Sequence, residues 1–442
     1  MTIKDLPDSW KWVTLDDVKS NGRAVVSGPF GSNIGMRFFV PIGVPVIRGN
    51  NLTTNMKKFI DDGFVFVSEE KAQELRGCEA IPGDLIFTAA GSLGQVGVIP
   101  TNSNYRKYII SNKQLRARLD SSIIDSSFAF YWFSSPLMVS HIRQQNTGSS
   151  VPLINLSILK GLPIPLPPLS DQRAIVSILG ALDDKIDLNR QMNQTLEAIA
   201  QAVFKSWFVD FDPVKAKAEG REPEGLAPEI AALFPDNFVD SELGPIPEGW
   251  RVVSLGEVFK VVMGQSPPGE TYNDAEEGLP FFQGIRDFGF RFPTRRVYCT
   301  DPTRVAFKGQ VLLSVRAPVG ALNVAKERCA IGRGLAALGS VEHNGYVLYF
   351  LKNKINLWDA FDGGGTVFGS VSKKDINAIS LVFPGEILYE QFQSLSDPLD
   401  SMIFVLEEES IVLAAIRDTL LPKLISGGIR IKDAEKYVEA KL

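Results

Sequence analysis

Two long stretches of the chain carry apolar residues at alternating intervals of four and three positions, one within 171–209 and the other within 390–426. This spacing puts the apolar side chains on one side of a helix and is typical of the seam of a coiled coil. The pattern therefore predicts two long helices, 168–209 and 386–427. The seam residues are Leu179, Leu182, Ile186, Leu196 and Val203 in the first helix and Leu399, Ile403, Leu406, Leu413 and Leu420 in the second.

Two packings are open for these helices. An antiparallel pair of about 39 residues would extend roughly 58 Å and would hold a globular module at each end, related by a pseudo-twofold axis. Alternatively, each could be an amphipathic helix buried against its own module. We favour the antiparallel pair, because seams of this length exceed what one small domain usually covers.

The rest of the chain has a different pattern, in which short β-branched and aromatic runs alternate with clusters of Gly, Pro, Asn and Ser. Examples are 64–67, 84–88 and 311–315. Such alternation indicates β-rich domains, with short helices expected at 127–133 and 347–351. The predicted fold class is α+β, with two homologous β-rich domains separated by the two long helices. The predicted boundaries are 1–167 for the first domain, 168–209 for its helix, 210–244 for a connector, 245–385 for the second domain, 386–427 for its helix and 428–442 for a C-terminal tail.

The two domains are predicted to be homologous because three stretches of sequence occur twice in the same order. Residues 6–18 return as 246–258, with Trp10 aligned to Trp250. Two further echoes are 83–94 with 309–320 and 162–167 with 379–384. A repeat in fixed order indicates two related modules, each followed by a helix. The function should therefore need two surfaces that are similar but not identical.

The composition is that of a globular protein with apolar cores. Of the 442 residues, 45% are hydrophobic and 22% are charged, which suits two or three domains. No stretch approaches the roughly 18 apolar residues of a membrane span, so we expect no membrane association. Cys78, Cys299 and Cys329 are far apart and form no Cys-x-x-Cys pair. This favours a cytoplasmic protein over a disulfide scaffold or a cysteine zinc site.

The net charge of −5 is unevenly distributed along the chain. The segments 210–244, 171–209 and 390–426 carry −6, −1 and −5, so that the remainder carries +7. The connectors are therefore acidic while the modules are mildly basic. A basic module surface is compatible with binding to phosphate groups.

No set of residues indicates catalysis. His141 and His343 occur once in each module and have no neighbours typical of a metal site or a catalytic triad. The chain has no Gly-x-x-x-x-Gly-Lys-Ser/Thr phosphate loop. Residues 266–269, Ser-Pro-Pro-Gly, lack the aromatic ring of an amino-methyltransferase motif. We predict no catalytic residue, no metal and no cofactor.

Loops in both modules instead combine guanidinium, amide and hydroxyl groups with glycine. Arg pairs with guanine and Asn or Gln with adenine, while hydroxyls and glycine turns suit phosphates. For any one residue, a solvated loop side chain is the alternative. The candidate DNA-binding residues are Arg48, Asn50, Asn51, Asn112, Lys113, Gln114, Arg143, Thr147 and Ser149 in the first module and Gln283, Arg286, Arg316, Arg333, Thr366 and Lys373 in the second.

The order of module, Pro-rich exit, Gln-led helix, and then module and helix again resembles the specificity subunits of type I restriction-modification enzymes. The resemblance covers essentially the whole chain. It rests on Trp10 and Trp250 in the module openings, on Leu-Pro-Ile-Pro-Leu-Pro-Pro-Leu-Ser-Asp-Gln at 162–172, on Lys-Ser-Trp-Phe-Val-Asp-Phe-Asp-Pro at 205–213 and on Arg-Asp-Thr-Leu-Leu-Pro-Lys-Leu-Ile-Ser-Gly at 417–427. The second module departs mildly, because no Pro-Pro pair precedes Gln391.

This resemblance implies a non-catalytic DNA reader with two target recognition domains, each of which reads one half of a split target in double-stranded DNA. It implies that the spacer helices dock two methylation subunits and that restriction subunits join for cleavage. The methyl donor, S-adenosylmethionine, would belong to the partner. Two alternatives are a fused methyltransferase, whose cofactor and Pro-Pro-aromatic motifs are absent, and a scaffold of two peptide-binding β domains on a coiled coil.

Overall fold

The computed structural model describes residues 6–148, 151–339, 344–361 and 369–441. The chain divides into two compact units, the first formed by 1–187 with 410–442 and the second by 188–409. Each unit combines one β-containing module with a part of each long helix. The division therefore runs through the helices and not between a domain and its helix.

The first module contains eleven short strands and four helices within its described residues. The strands are β1 Lys11–Thr14, β2 Val25–Ser27, β3 Phe39–Val40, β4 Val44–Ile47, β5 Val65–Val67, β6 Glu79–Ala80, β7 Leu85–Thr88, β8 Val96–Val98, β9 Tyr108–Ile110, β10 Gln114–Ala117 and β11 Pro163–Leu166. The helices are α1 Glu69–Glu74, α2 Ser126–Ser134, α3 Pro136–Gln144 and α4 Leu156–Lys160.

Two sheets form the body of this module. The order β2-β10-β7-β8 is antiparallel, and the order β3-β5-β4-β9-β6 contains one parallel pair, β4 with β9. In that pair Val46 lies opposite Ile109 and Ile47 opposite Ile110. Parallel neighbours end at the same edge of a sheet, so the loops that follow β4 and β9 are brought together.

Helix α2 is apolar on all sides because the module encloses it, with every residue from Phe128 to Ser134 buried. The Asp125 carboxylate caps the helix by accepting hydrogen bonds from the N–H groups of Ser127 and Phe128. The Trp132 indole donates to the Pro163 carbonyl at 2.7 Å. The helix thereby fixes β11, the strand that leads into the first long helix.

That long helix is α5, Leu169–Phe208, and it is followed by a connector with its own structure. The connector elements are α6 Asp212–Ala218, α7 Pro228–Ala231, β12 Phe238–Val239 and β13 Ile246–Pro247. The connector packs on the second unit through aromatic contacts, with ring centroids 5.3 Å apart for Trp207 and Phe234 and 5.6 Å apart for Phe211 and Trp250. It is therefore a packed segment of that unit.

The second module repeats the first in the order of its strands. Its strands are β14 Arg251–Ser254, β15 Val261–Met263, β16 Tyr272–Asn273, β17 Leu279–Phe282, β18 Tyr298–Cys299, β19 Val305–Ala306, β20 Val311–Ser314, β21 Leu322–Val324, β22 Cys329–Ile331, β23 Leu335–Leu338 and β24 Ser380–Phe383. Its helices are α8 Leu255–Val258, α9 Gly345–Asn353 and α10 Lys373–Asn377. The sheets β15-β23-β20-β21 and β16-β18-β17-β22-β19 match those of the first module, and β17 is parallel to β22.

The second long helix is α11, Glu386–Ile425, which α12, Ile431–Glu439, follows. Within the second unit α5 and α11 are antiparallel. The Asn189 amide donates to the Leu406 carbonyl at 3.4 Å, whereas Phe204, further along α5, contacts the earlier Phe392 with ring centroids 5.4 Å apart. The prediction of an α+β fold with two β-rich modules and two long helices is confirmed.

The predicted seam residues are buried to different degrees. In the first unit Leu179, Leu182, Ile186, Leu413 and Leu420 join one apolar cluster that also includes residues of the first module. In the second unit Ile403 is fully buried. Partial exposure is found at Leu196, Val203, Leu399 and Leu406. Helix pairing and burial against a module, which the sequence left as alternatives, therefore occur together.

Every helix in the described part of the chain is too short or too polar to cross a bilayer.

Candidate nucleic-acid interface

In the first module, three loops meet at the edge where the parallel strands β4 and β9 end. Arg48 directly follows β4, and the Ser111 N–H at the end of β9 donates to the Ile47 carbonyl at 2.9 Å. Asn112 comes next in the chain. The Ala89 N–H donates to the Lys113 carbonyl at 2.8 Å, which brings the end of β7 to the same edge. The module thus presents the side chains of Arg48 and Asn112 beside a short backbone turn.

The second module forms the same edge with β17 and β22. Gln283 follows β17 and Arg333 lies two residues after β22. The Val315 N–H donates to the Gly334 carbonyl at 2.9 Å, which places Arg316 beside them. Gln283, Arg316 and Arg333 line one cavity of about 200 Å³, and all three side chains are exposed. The structure therefore brings three predicted DNA-binding residues into one site.

These hydrogen bonds define which positions of the two modules correspond. Ala89 corresponds to Val315 and Lys113 to Gly334, because each pair makes the same backbone bond. It follows that the first module carries arginine, asparagine and alanine where the second carries glutamine, arginine and arginine. The matched positions are Arg48 with Gln283, Asn112 with Arg333 and Ala90 with Arg316. One frame therefore presents two different sets of hydrogen-bonding groups.

Two predicted residues of the first module have a structural role instead. Asn51 is 1% exposed, and its amide donates to the Ile60 and Asp62 carbonyls at 3.0 and 2.9 Å while its oxygen accepts the Arg48 N–H at 2.9 Å. Gln114 is also 1% exposed and accepts a hydrogen bond from the Ser111 hydroxyl. Both side chains are therefore buried and hydrogen-bonded within the module, and the structure gives no support to the prediction that Asn51 and Gln114 contact DNA.

The other candidates are placed as follows. Asn50, Lys113 and Arg286 are exposed. Arg143 and Thr147 are exposed too, but each donates to a backbone carbonyl at 3.1 Å, of Leu93 and Leu153 respectively. Ser149 and Thr366 lie outside the described residues, as does His343.

Lys373 lies away from the cavity that holds Arg316. It lines a second cavity of about 460 Å³, together with Lys260 and Arg304. All three cationic side chains are exposed. Such a cluster suits contact with a phosphate backbone, because three exposed cationic side chains lie together.

A buried cluster that the sequence did not predict joins the second module to both long helices. Arg291, 2% exposed, donates to Glu197 at 3.2 Å, to the Tyr349 hydroxyl at 3.1 Å and to Asp400. Its backbone N–H donates to Glu407 at 3.0 Å. Burial disfavours the charged guanidinium, but the Asp400 carboxylate beside it leaves the pKa of Arg291 raised. This cluster positions the module on the helices.

The first unit has a smaller cluster of the same kind. The Tyr131 hydroxyl donates to Asp183 at 2.7 Å, and the Arg417 guanidinium donates to the other oxygen of Asp183 at 2.8 Å. Burial and the Asp183 charge raise the pKa of Tyr131, so its hydroxyl stays protonated.

Within the described residues, no group of His, Cys, Asp and Glu is arranged to hold a metal ion. The site offers hydrogen-bond donors and acceptors at two matched edges. Its chemistry is that of recognition.

Comparisons with known proteins agree on one family. The family model described as the type I restriction modification DNA specificity domain matches residues 7–198. The putative type I restriction enzyme MjaX specificity subunit of Methanocaldococcus jannaschii is 28% identical and is aligned over 97% of this chain and 96% of the relative. The HindI specificity subunit of Haemophilus influenzae is 24% identical, over 84% of this chain and 94% of the relative.

The fold is also found in a solved structure. The S subunit of a type I restriction-modification system from M. genitalium has a TM-score of 0.58 and 17% identity, covering 95% of this chain and 96% of that one. At this identity the likeness shows a shared fold.

Proposed function

We propose that this chain is a specificity subunit of a type I restriction-modification enzyme, as its similarity to that family suggests, and that it selects the DNA sequence on which its complex acts. Each module reads one half of a split DNA target. The long helices bind two methylation subunits, and restriction subunits join for cleavage. The chain itself recognises DNA in the cytoplasm, and the chemistry and its cofactor belong to the partners.

The observation that carries this proposal is the matched pair of strand edges with different side chains. Arg48 and Asn112 occupy the positions that Gln283 and Arg333 occupy in the second module, and Arg316 replaces an alanine. Arginine suits guanine, and asparagine and glutamine suit adenine, so the two edges favour different base sequences. A split, asymmetric target is what two such readers on one chain would select.

The experiment is methylation mapping of DNA from a host that expresses this chain with its methylation subunits. One bipartite motif is expected. Arg316→Ala should relax or abolish the sequence preference only in the half read by the second module, with a loss of discrimination of about 1–3 kcal/mol. Asn112→Ala should have this effect only in the other half. Arg328→Ala is the matched control, because this exposed arginine precedes β22 whereas Arg333 follows it. If either site variant altered both halves, the proposal would be wrong.

The binding surface for methylation subunits is proposed on the helix pair of the second unit. On one side of the seam, Glu197 and Asp400 bind Arg291 of the second module. Each of these acids directly follows a seam residue. Residues that directly precede a seam residue lie on the opposite side of the pair. Asn189, Asn193 and Ala200 continue the four-three spacing of the first seam. Five residues that precede seam positions are large, apolar and exposed, at 54% for Leu188, 45% for Met192, 46% for Ile199, 50% for Met402 and 56% for Val405.

An exposed apolar stripe of this kind marks a protein interface, since water contact with so many large side chains is unfavourable. Combining Met192→Asp with Met402→Asp should prevent co-purification with the methylation subunits and leave the urea midpoint of the isolated chain unchanged. Gln194→Asp is the control, because Gln194 is exposed on the same helix but does not directly precede a seam residue. Normal assembly of the double variant would place the docking surface elsewhere.

A further inference from the structure

The first module exposes an aromatic ring, that of Phe30, beside the edge that carries Arg48 and Asn112. Gly28 follows β2, and its N–H donates to the Gln114 carbonyl at 2.9 Å. A Cβ on Gly28 would lie 3.0 Å from the Cα of Asn112, so the chain passes directly over that residue. Phe30 comes two residues later, within about 7 Å of Gly28 along an extended chain, and it is 91% exposed.

The loop that carries Phe30 is held on both sides of the exposed ring. Pro29 directly precedes it and is buried. Ile34 is 7% exposed and packs in the cluster formed by Val44, Val67 and neighbouring residues. The Asn33 N–H donates to the Phe30 carbonyl at 3.2 Å, closing a turn. An anchored loop presents the ring to solvent, although the free energy of hydration favours burying it.

The second module lacks this feature at the corresponding position. Gly264 follows β15, and its N–H donates to the Leu335 carbonyl at 2.8 Å, as Gly28 does to Gln114. Two residues later stands Ser266, whose hydroxyl accepts the Arg333 N–H at 3.3 Å. A small polar residue bound to its own module thus replaces an exposed aromatic ring.

The charges around the two loops differ in the same sense. The loop 28–43 of the first module, between β2 and β4, has one arginine and no acidic residue. The loop 264–278 of the second module has four acidic residues and no lysine or arginine. Duplex DNA is a polyanion, so it is attracted to the first loop and repelled by the second.

We propose that Phe30 makes an apolar contact with the bases of the first half-site, and that the second module has no such contact. This inference rests on the proposed function. Phenylalanine contacts DNA either by wedging between base pairs or by packing against thymine methyl groups. Either contact would help the first module to discriminate between DNA sequences, because this module has Ala90 at the position of Arg316.

The test uses the complex of the full chain with its methylation subunits and a duplex containing the mapped target. Phe30→Ala should raise Kd roughly tenfold or more, because base–aromatic contacts are worth that much. Phe30→Ser, which imitates the second module, should do the same, and Phe30→Trp should retain binding. The controls are Met36→Ala and Ile42→Ala, since both side chains are as exposed, at 89% and 87%.

These controls lie at the other end of the sheet. Ile42 precedes β4, whereas Arg48 follows it. Met36 precedes β3, whose Phe39 is in register with Val44 through Val67. Both controls should leave Kd unchanged. If they weakened binding as much as Phe30→Ala, the effect would be general surface adhesion and the proposal would fail.

Two further measurements distinguish a ring that wedges between base pairs from a ring that packs on thymine methyl groups. 2-Aminopurine placed in the first half-site should brighten on binding of the wild-type complex and not of Phe30→Ala if the ring enters the base stack. Replacing first-half thymines by uracil should weaken the wild type and not Phe30→Ala if the ring packs on a methyl group. Neither response, or a wild-type Kd for Phe30→Ala, would overturn the inference while sequence-specific binding upheld the proposed function. Loss of all sequence preference in the wild-type complex would refute both.

Discussion

In both units, a hydrogen bond between a tyrosine of the module and an aspartate of a long helix attaches the module to the helices. In each, the fifteenth residue of a long helix is an aspartate that accepts a hydrogen bond from a tyrosine of the module's buried helix. The Tyr131–Asp183 distance is 2.7 Å and the Tyr349–Asp400 distance is 2.9 Å. The duplication of the chain has therefore preserved the attachment as well as the sheets.

The arginine that neutralises the aspartate comes from a different place in each unit. In the first unit it is Arg417, the thirty-second residue of α11. The thirty-second residue of α5 is Ala200, which is fully buried and offers no charge. In the second unit Arg291 of the module supplies the guanidinium. The aspartate is thus neutralised by an arginine of the long helix in the first unit and by an arginine of the module in the second.

The counterpart of Arg291 in the first module is Lys58, because the carbonyls of both accept the N–H of equivalent strand residues, at 2.8 Å from Val324 and 2.9 Å from Val98. Lys58 is 29% exposed and lies 3.7 Å from Asp184, which is 79% exposed. A solvated pair of this kind contributes little to stability. At the position of Arg291 the second module is therefore held by a buried ion cluster. At the corresponding position, Lys58, the first module has only a weak surface pair.

The sequences of the long helices explain why only the second module has this cluster. Besides Asp400, Arg291 donates hydrogen bonds to Glu197 and Glu407. The same helix positions in the other repeat are occupied by Ala414 and Arg190, neither of which is an acid. A guanidinium at the position of Lys58 would thus find no equivalent set of carboxylates. The difference teaches that the two modules share their fold but differ in how they are held on the helices.

The largest effect is expected from removing the centre of the buried cluster. Arg291→Ala would leave buried carboxylates without a counter-charge and should lower the free energy of unfolding by about 3–5 kcal/mol. Urea unfolding of the full chain measures this. Arg291→Met with Asp400→Asn removes a charge from each side and should recover part of the loss. A cost for Arg291→Ala below about 1 kcal/mol would show that the cluster does not hold the module.

The same cluster should make the cost of losing Arg291 depend on pH. Burial raises the pKa of Asp400 and of Glu407 above 3.8 and 4.5. Protonation then favours the folded chain, so the stability these groups contribute is present in acid and is lost as the pH rises through the raised values. Arg291 lowers both pKa values and limits the loss.

Arg291→Met should therefore be mildest below pH 4.5 and most destabilising at neutral pH. Urea midpoints of the wild type and the variant across this range provide the measurement. Lys58→Met is the control, whose difference from the wild type should not grow with pH in this way. A constant difference for Arg291→Met would mean that the two acids do not depend on Arg291.

The sequence predicted the repeated modules and the long helices, because both depend on local patterns. It did not predict either cluster, because Arg291 is 94 residues from Glu197 and Arg417 is 234 from Asp183. The burial of Asn51 likewise depends on carbonyls nine and eleven residues later. The chemistry of Gln283, Arg316 and Arg333 was the basis for predicting them. Their proximity depends on the parallel pair β17 with β22 and on the hydrogen bond from Val315 to Gly334.

A smaller effect should separate the two tyrosines. Tyr131→Phe removes a hydrogen bond to a charged, buried acid and should cost about 1.5–3 kcal/mol of unfolding free energy. Tyr349→Phe should cost more, because each aspartate keeps its arginine but the Tyr349 hydroxyl also accepts a hydrogen bond from Arg291, which this variant loses. Urea unfolding of both variants gives the comparison. Equal losses would indicate that the hydrogen bond from Arg291 to Tyr349 contributes nothing measurable to stability.

The smallest effect belongs to the surface pair of the first module, and it sharpens the comparison. Lys58→Ala should change the free energy of unfolding by about 0–1 kcal/mol, and high salt should abolish the difference. Lys58→Arg should gain nothing, since a guanidinium there meets Asp184 in solvent and Asp183 already binds Arg417. A gain approaching the loss caused by Arg291→Ala would mean that side-chain chemistry alone, without the acids of the second helix pair, creates the attachment.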